Sequence, residues 1–125
     1  FDVDRFKIIN DKRGHQVGDQ ILIEIAAVIN ECCRKIDLPF RLGGDEFALL
    51  LPQTDIQAAC RLAERLRRGV AEKAWGEGMK VSVSVGVSEY DAGGSAERMV
   101  RQADQGLYLA KACGGNQVEI VKGVQ

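Results

Sequence analysis

The chain has almost no net charge, a single histidine and no CxxC cysteine pair, and no apolar stretch in it has the length or flanks of a membrane span or a signal peptide. Its 17 basic and 18 acidic residues are interspersed, for a net charge of −1. That balance leaves no basic face for sequence-independent nucleic-acid binding and no polybasic segment for a membrane surface. The four cysteines (Cys32, Cys33, Cys60, Cys113) fall mostly in helical patterns, so reduced, buried thiols are expected rather than disulfides or zinc ligands. A cytoplasmic location follows from that reading. Internal repeats, linkers and low-complexity tracts are also missing, and 125 residues, 46% of them hydrophobic, suffice for one domain with one core.

What is present is a series of periodic segments. Between Asp19 and Lys35, the residues Leu22, Ile25, Ala26, Ile29 and Cys33 recur on one helical face, which predicts a helix opened by Gly18-Asp19. Thr54-Asp55-Ile56-Gln57 has the form of a capping box and predicts a second helix to about Glu72, with Ile56, Ala59, Cys60, Ala63, Leu66 and Val70 as its buried stripe. Met79 to Val87 alternates valines with Ser82, Ser84 and Gly86, the pattern of a half-buried strand with one face of small residues. A third helix is expected from about Ala96 to Cys113, stopped by Gly114-Gly115-Asn116, and then a last strand near Gln117 to Val121. With a strand at the start of the chain, the expected order is β-α-β-β-α-β-α-β, an α+β sheet with packed helices.

The stretch most suggestive of chemistry is Arg41-Leu42-Gly43-Gly44-Asp45-Glu46-Phe47, between apolar segments that read as strands, Pro39 to Leu42 and Phe47 to Leu51, with Pro52 ending the second. Two glycines permit a tight turn and let a bulky ligand approach the backbone, while Asp45 and Glu46 sit at its tip. A solvated hairpin turn would have the same composition. Near the N-terminus, Asp2-Val3-Asp4, Phe6-Lys7, Asn10-Asp11, Gly14-His15 and Gly18-Asp19 mix acids and amides with apolar residues.

Taken together with Gly43 to Phe47 and Ala103-Asp104 through Lys111, these segments resemble the GGDEF domain of bacterial diguanylate cyclases, which join two GTP molecules into cyclic di-GMP. The spacing agrees over nearly the whole chain, so residues 1–125 are expected to form one such domain. The resemblance implies a palm-like, mostly antiparallel sheet of the nucleotidyl cyclase type. It also implies an N-terminally truncated fragment, without the helix, turn and most of the first strand that usually precede Phe1.

The resemblance further implies roles. Asp2, Asp45 and the Val3 carbonyl correspond to ligands of two Mg²⁺ or Mn²⁺ ions, and Glu46 to a residue that binds metal or the ribose and helps deprotonate the attacking hydroxyl. Asn10 and Asp19 match guanine-reading positions, though a turn former and an N-cap are what these residues would otherwise be taken for. Phe6 corresponds to a residue around the nucleotide, His15 to one that is structural or lines the nucleotide pocket, and Lys7 and Lys111 to phosphate contacts. Arg34 and Asp37 have the spacing of an inhibitory Arg-x-x-Asp site for cyclic di-GMP. Catalysis would need a homodimer of half-sites, and a regulatory or sensor domain would accompany the cyclase, free in the cytoplasm or anchored to its membrane. The chain departs from the pattern at Gly114-Gly115-Asn116, where the family usually has Gly-Arg-Asn; losing that phosphate contact would cost about 1.5–3 kcal/mol. A GTP or cyclic di-GMP sensor without turnover is the alternative reading.

Overall fold

The computed structural model describes residues 1–121. Five strands and four helices follow one another as β1 (Asp2–Val3), α1 (Phe6–Arg13), α2 (His15–Cys32), β2 (Leu38–Gly43), β3 (Glu46–Leu50), α3 (Ile56–Ala71), β4 (Val83–Val87), α4 (Ala96–Ala112) and β5 (Val118–Ile120). The sheet order is β2-β3-β1-β4-β5, with every pairing antiparallel except the parallel β4–β5 edge. This is the mixed, mostly antiparallel α+β sheet expected from the sequence. The short β1 is therefore central, between the acidic hairpin and β4.

The valine face of β4 enters the core. Val81, Val83, Val85 and Val87 are buried in one cluster with Ile21, Ile25 and Ile29 of α2 and Ala63, Leu66 and Val70 of α3. On the opposite face, α4 comes unusually close. A Cβ at Gly86 would fall onto Ala103 O and Leu107 N of α4, and one at Gly106 would lie 2.7 Å from Glu119 O and 3.1 Å from Gly86 Cα. The small residues of β4 thus let a helix backbone rest directly on a strand backbone, which fixes where the far end of α4 emerges.

Four local expectations change. The strand expected from Met79 begins at Val83, and because α4 covers its small-residue face it is buried on both sides, Ser84 fully so. Phe6–Arg13 is a helix that the sequence pattern did not reveal; none of its residues is fully buried. The next helix begins at His15, so Gly18 lies inside it, and its stripe is Ile21, Leu22, Ile25, Val28 and Ile29 with Ala26 exposed. At α3 the cap is Asp55, whose side chain accepts from Ala58 N at 2.8 Å, a contact worth about 1 kcal/mol. Thr54 is diverted: its hydroxyl donates to Pro52 O and accepts from Arg34.

Candidate functional site

β1 and β3 pair with Asp2 opposite Glu46, so the two carboxylates stand on the same face of the sheet. The turn between β2 and β3 is tied to β1 by Val3 N, which donates to Asp45 O at 3.3 Å, and by Phe47 N, which donates to Phe1 O at 2.8 Å. Phe1 and Phe47 stack with ring centroids 5.3 Å apart beneath it. Gly44 takes φ +39, and no atom lies within 4 Å of where a Cβ would be at Gly43 or Gly44, so the backbone at the tip is open to a ligand. Arg41, which sequence reasoning passed over, holds the turn by donating from Nε and Nη2 to Gly44 O at 3.0 and 2.7 Å.

From the other side, the last turn of α4 brings Lys111 to this pair, with Nζ 2.6 Å from Asp2 Oδ1. Burial pushes the Asp2 carboxyl above its usual pKa, the bond to Lys111 draws it back, and the neighbouring Asp45 pushes it up again. Four predicted residues, Asp2, Asp45, Glu46 and Lys111, are thereby assembled from three distant parts of the chain.

Among the described residues no group of three or more His, Cys, Asp or Glu side chains is arranged to hold a metal by itself. Magnesium rarely needs such a cage, since it binds through one or two carboxylates together with substrate phosphates. The oxygen donors Asp2, Glu46 and Asp45 fit that mode, in which the phosphate supplies the remaining ligands and Lys111 is available to it as a cation.

A second group lies on the α1–α2 hairpin. Gly14, at φ +90, donates its N–H to Asn10 O at 2.8 Å and turns the chain back. Asn10 Oδ1 is buried and has no hydrogen-bond partner among the described residues. Asp19 is exposed one residue after the buried Gly18, and His15 is exposed at the start of α2. Phe6 is partly buried and packs on the core, whereas Lys7 is exposed beside it on α1.

Asp4 is a residue the sequence reading missed. Its carboxylate accepts from Ser82 Oγ at 2.7 Å, Ser84 Oγ at 2.5 Å and Asn116 N at 2.8 Å, joining the end of β1 to β4 and to the turn after α4. The two serines on the small-residue face of β4 were the available signal, since hydroxyls facing inward need a partner. The same carboxylate accounts for Gly115: its φ is +78, and a Cβ there would lie 3.0 Å from Asp4 Cγ and Oδ2.

Arg34 and Asp37 hold one another. Arg34 N donates to Asp37 Oδ2 at 2.8 Å and Arg34 Nη2 to Oδ1 at 2.8 Å, while Nη2 also reaches Pro52 O at 3.0 Å and Thr54 Oγ1 at 2.6 Å. The Asp37 side chain is fully buried, and the Arg34 side chain is about half exposed.

An open, mostly antiparallel sheet with packed helices and an acidic Gly-Gly hairpin beside its central strand defines a palm-like α+β domain. Residues 1–117 match the family described as Diguanylate cyclase, GGDEF domain. The chain is 43% identical over 117 residues to Diguanylate cyclase DgcM of Escherichia coli, covering 94% of this chain and 28% of DgcM. In structure it resembles the active GGEEF domain of a diguanylate cyclase from Vibrio cholerae at TM-score 0.91 and 32% identity, covering 98% of this chain and 80% of that one. It also resembles the GGDEF domain of DgcB from Caulobacter crescentus in complex with c-di-GMP, at TM-score 0.89 and 31% identity, over 94% and 72% of the two chains. The chain belongs to the GGDEF domain family of diguanylate cyclases, and spans little more than a quarter of the length of DgcM.

Proposed function

We propose that residues 1–125 are the catalytic GGDEF domain of a diguanylate cyclase, which condenses two GTP into cyclic di-GMP and two pyrophosphates. The observation that carries the proposal is the cross-strand pairing of Asp2 with Glu46 under an open Gly-Gly turn, with Lys111 at 2.6 Å from Asp2. Asp2, Asp45, Glu46 and the Val3 carbonyl would hold up to two divalent ions, Mg²⁺ or Mn²⁺. Bound there with the triphosphate, such ions neutralise phosphate charge and activate the 3′-hydroxyl. Glu46 assists in taking the hydroxyl proton, and Lys111 and Lys7 contact phosphate oxygens.

Guanine presents two adjacent donors, N1–H and the 2-amino group, and Asn10 with Asp19 supplies the acceptors that distinguish it from adenine. Among the described residues Asn10 Oδ1 is buried without a hydrogen-bond partner; that unmet acceptor is costly, and a turn of the amide toward the base would relieve it. Phe6 and His15 flank the nucleotide. One domain provides one half of the reaction centre, so a homodimer presents each 3′-hydroxyl to the α-phosphate held by the other copy. Arg34 and Asp37 form the product-feedback site for cyclic di-GMP, and a regulatory domain elsewhere in a cytoplasmic or membrane-anchored protein controls dimerisation.

Gly115 favours a second reading, a sensor that binds GTP or cyclic di-GMP without turnover, since it removes the phosphate-binding arginine usual at this place in the family. Incubation of concentrated protein with GTP and Mg²⁺, followed by chromatography and mass, tests the two. Cyclic di-GMP formed by the unmodified protein and lost in Glu46→Ala, with the fold intact by circular dichroism, supports the cyclase. Turnover that survives Glu46→Ala overturns the assigned chemistry, and nucleotide binding with no product favours the sensor.

A further inference from the structure

Gly18 lies one turn into α2, is buried, and faces Asn10 across the α1–α2 hairpin. A Cβ at this position would fall onto Asn10 Oδ1, 2.9 Å from Asn10 Cγ and 3.2 Å from Phe6 Cζ. No positive φ requires glycine here, and a glycine inside a helix costs about 1 kcal/mol relative to alanine. The local need is space, and the group that fills it is the Asn10 amide.

Taking Asn10 as a guanine-reading residue, as proposed above, we infer that Gly18 is a positioning residue that sets base preference through it. The absence of a side chain at 18 lets the Asn10 amide settle against α2, one residue from Asp19, so that one helix turn sets the spacing of the two acceptors. The atoms a Cβ would strike are side-chain atoms, the Asn10 amide at closest range and the Phe6 ring edge at 3.2 Å, which must give only by a few tenths of an ångström. Gly18→Ala therefore displaces the amide while α2 stays in place, and base recognition is lost without loss of fold. A purely structural glycine would behave in the opposite way, with stability falling and nucleotide preference kept.

The experiment is equilibrium binding of GTP and of ITP, which lacks the 2-amino donor, to the unmodified protein, Gly18→Ala, Asn10→Ala and the double variant, with thermal midpoints measured alongside. In Gly18→Ala, GTP affinity is expected to fall by about 10-fold or more, ITP affinity by less, and the midpoint to hold or rise. In the Asn10→Ala background, Gly18→Ala should change GTP affinity no further, because its effect passes through the missing amide. A full GTP-over-ITP preference retained by Gly18→Ala overturns the inference, as does a loss that adds to that of Asn10→Ala. An Asn10→Ala protein that keeps the full GTP-over-ITP preference of the unmodified protein, or an unmodified protein that binds neither nucleotide, overturns instead the base-reading assignment on which the inference rests.

Discussion

Lys111 Nζ lies 2.6 Å from Asp2 Oδ1, so the last turn of α4 supplies a cation directly to the central strand of the sheet. Lys111 and a divalent ion would compete for the same oxygen in the absence of nucleotide. Lys111→Ala is accordingly expected to tighten Mn²⁺ binding to the nucleotide-free protein and to weaken GTP binding by about 10- to 100-fold, through loss of a charged phosphate contact. Metal titration by electron paramagnetic resonance and GTP binding by calorimetry read the two effects separately. Weakening of both would point to a merely structural lysine.

The contact between α4 and β4 leaves no room for a methyl group. Gly86→Ala would drive a Cβ into Ala103 O and Leu107 N, which are backbone atoms of a helix and cannot turn aside. The expected result is destabilisation of about 1–3 kcal/mol or more by chemical denaturation, with GTP affinity falling as Lys111 is carried away from Asp2. Unchanged stability in the Gly86→Ala protein would contradict the backbone-on-backbone packing.

Asp4 ties three segments together, and its removal should be felt at all of them. Asp4→Ala leaves the Ser84 hydroxyl, in a fully buried residue, and the Asn116 N–H without their acceptor, which is expected to cost about 1–3 kcal/mol. Protection of the Asn116 amide from hydrogen exchange should drop at the same time. Gly115→Arg is expected to lose about 1–2 kcal/mol, because φ +78 is unfavourable for a residue with a Cβ, even though it restores the arginine of the family pattern.

Hydrogen bonds from Arg34 hold the Asp37 carboxyl below its usual pKa of 3.8, with burial opposing them. For a lowered carboxyl, the unfolded chain takes up protons first as pH falls, so stability contributed above pH 3.8 is lost as pH drops through the lowered value. Asp37→Asn should therefore narrow the difference between the urea midpoints measured near neutrality and below pH 3.8. An undiminished difference would show that Arg34 and Asp37 do not interact in solution.

The hairpin, α3 and the extent of α4 were legible in the sequence because each has a clear period bounded by Gly, Pro or a cap, whereas the valine alternation located β4 but not its start at Val83 or the covering of its small-residue face by α4. The helix α1 was not, since its apolar residues Phe6, Ile8 and Ile9 do not form a buried stripe and Asn10-Asp11 break the pattern. The start of α2 was set at Asp19 rather than His15 because a glycine before an aspartate reads as a helix opener, whereas Gly18 is an interior residue chosen by its neighbour across the hairpin. Thr54 and Asp55 are both good caps, and the bonds of Thr54 to Pro52 and to the distant Arg34 leave the role to Asp55. At the candidate site, residue types were readable from the motif, but the Asp2–Lys111 pair, the Asp4 network and the Arg41 brace depend on contacts that no local pattern records.

The mutual grip of Arg34 and Asp37 bears on regulation in a quantitative way. A ligand that must displace the bonds between Arg34, Asp37 and Thr54 can bind only molecules in which they are open, so its apparent dissociation constant is the intrinsic one divided by the open fraction. If Arg34 and Asp37 are the product-feedback site proposed above, the strength of this internal ion pair would set how much product must accumulate before inhibition begins.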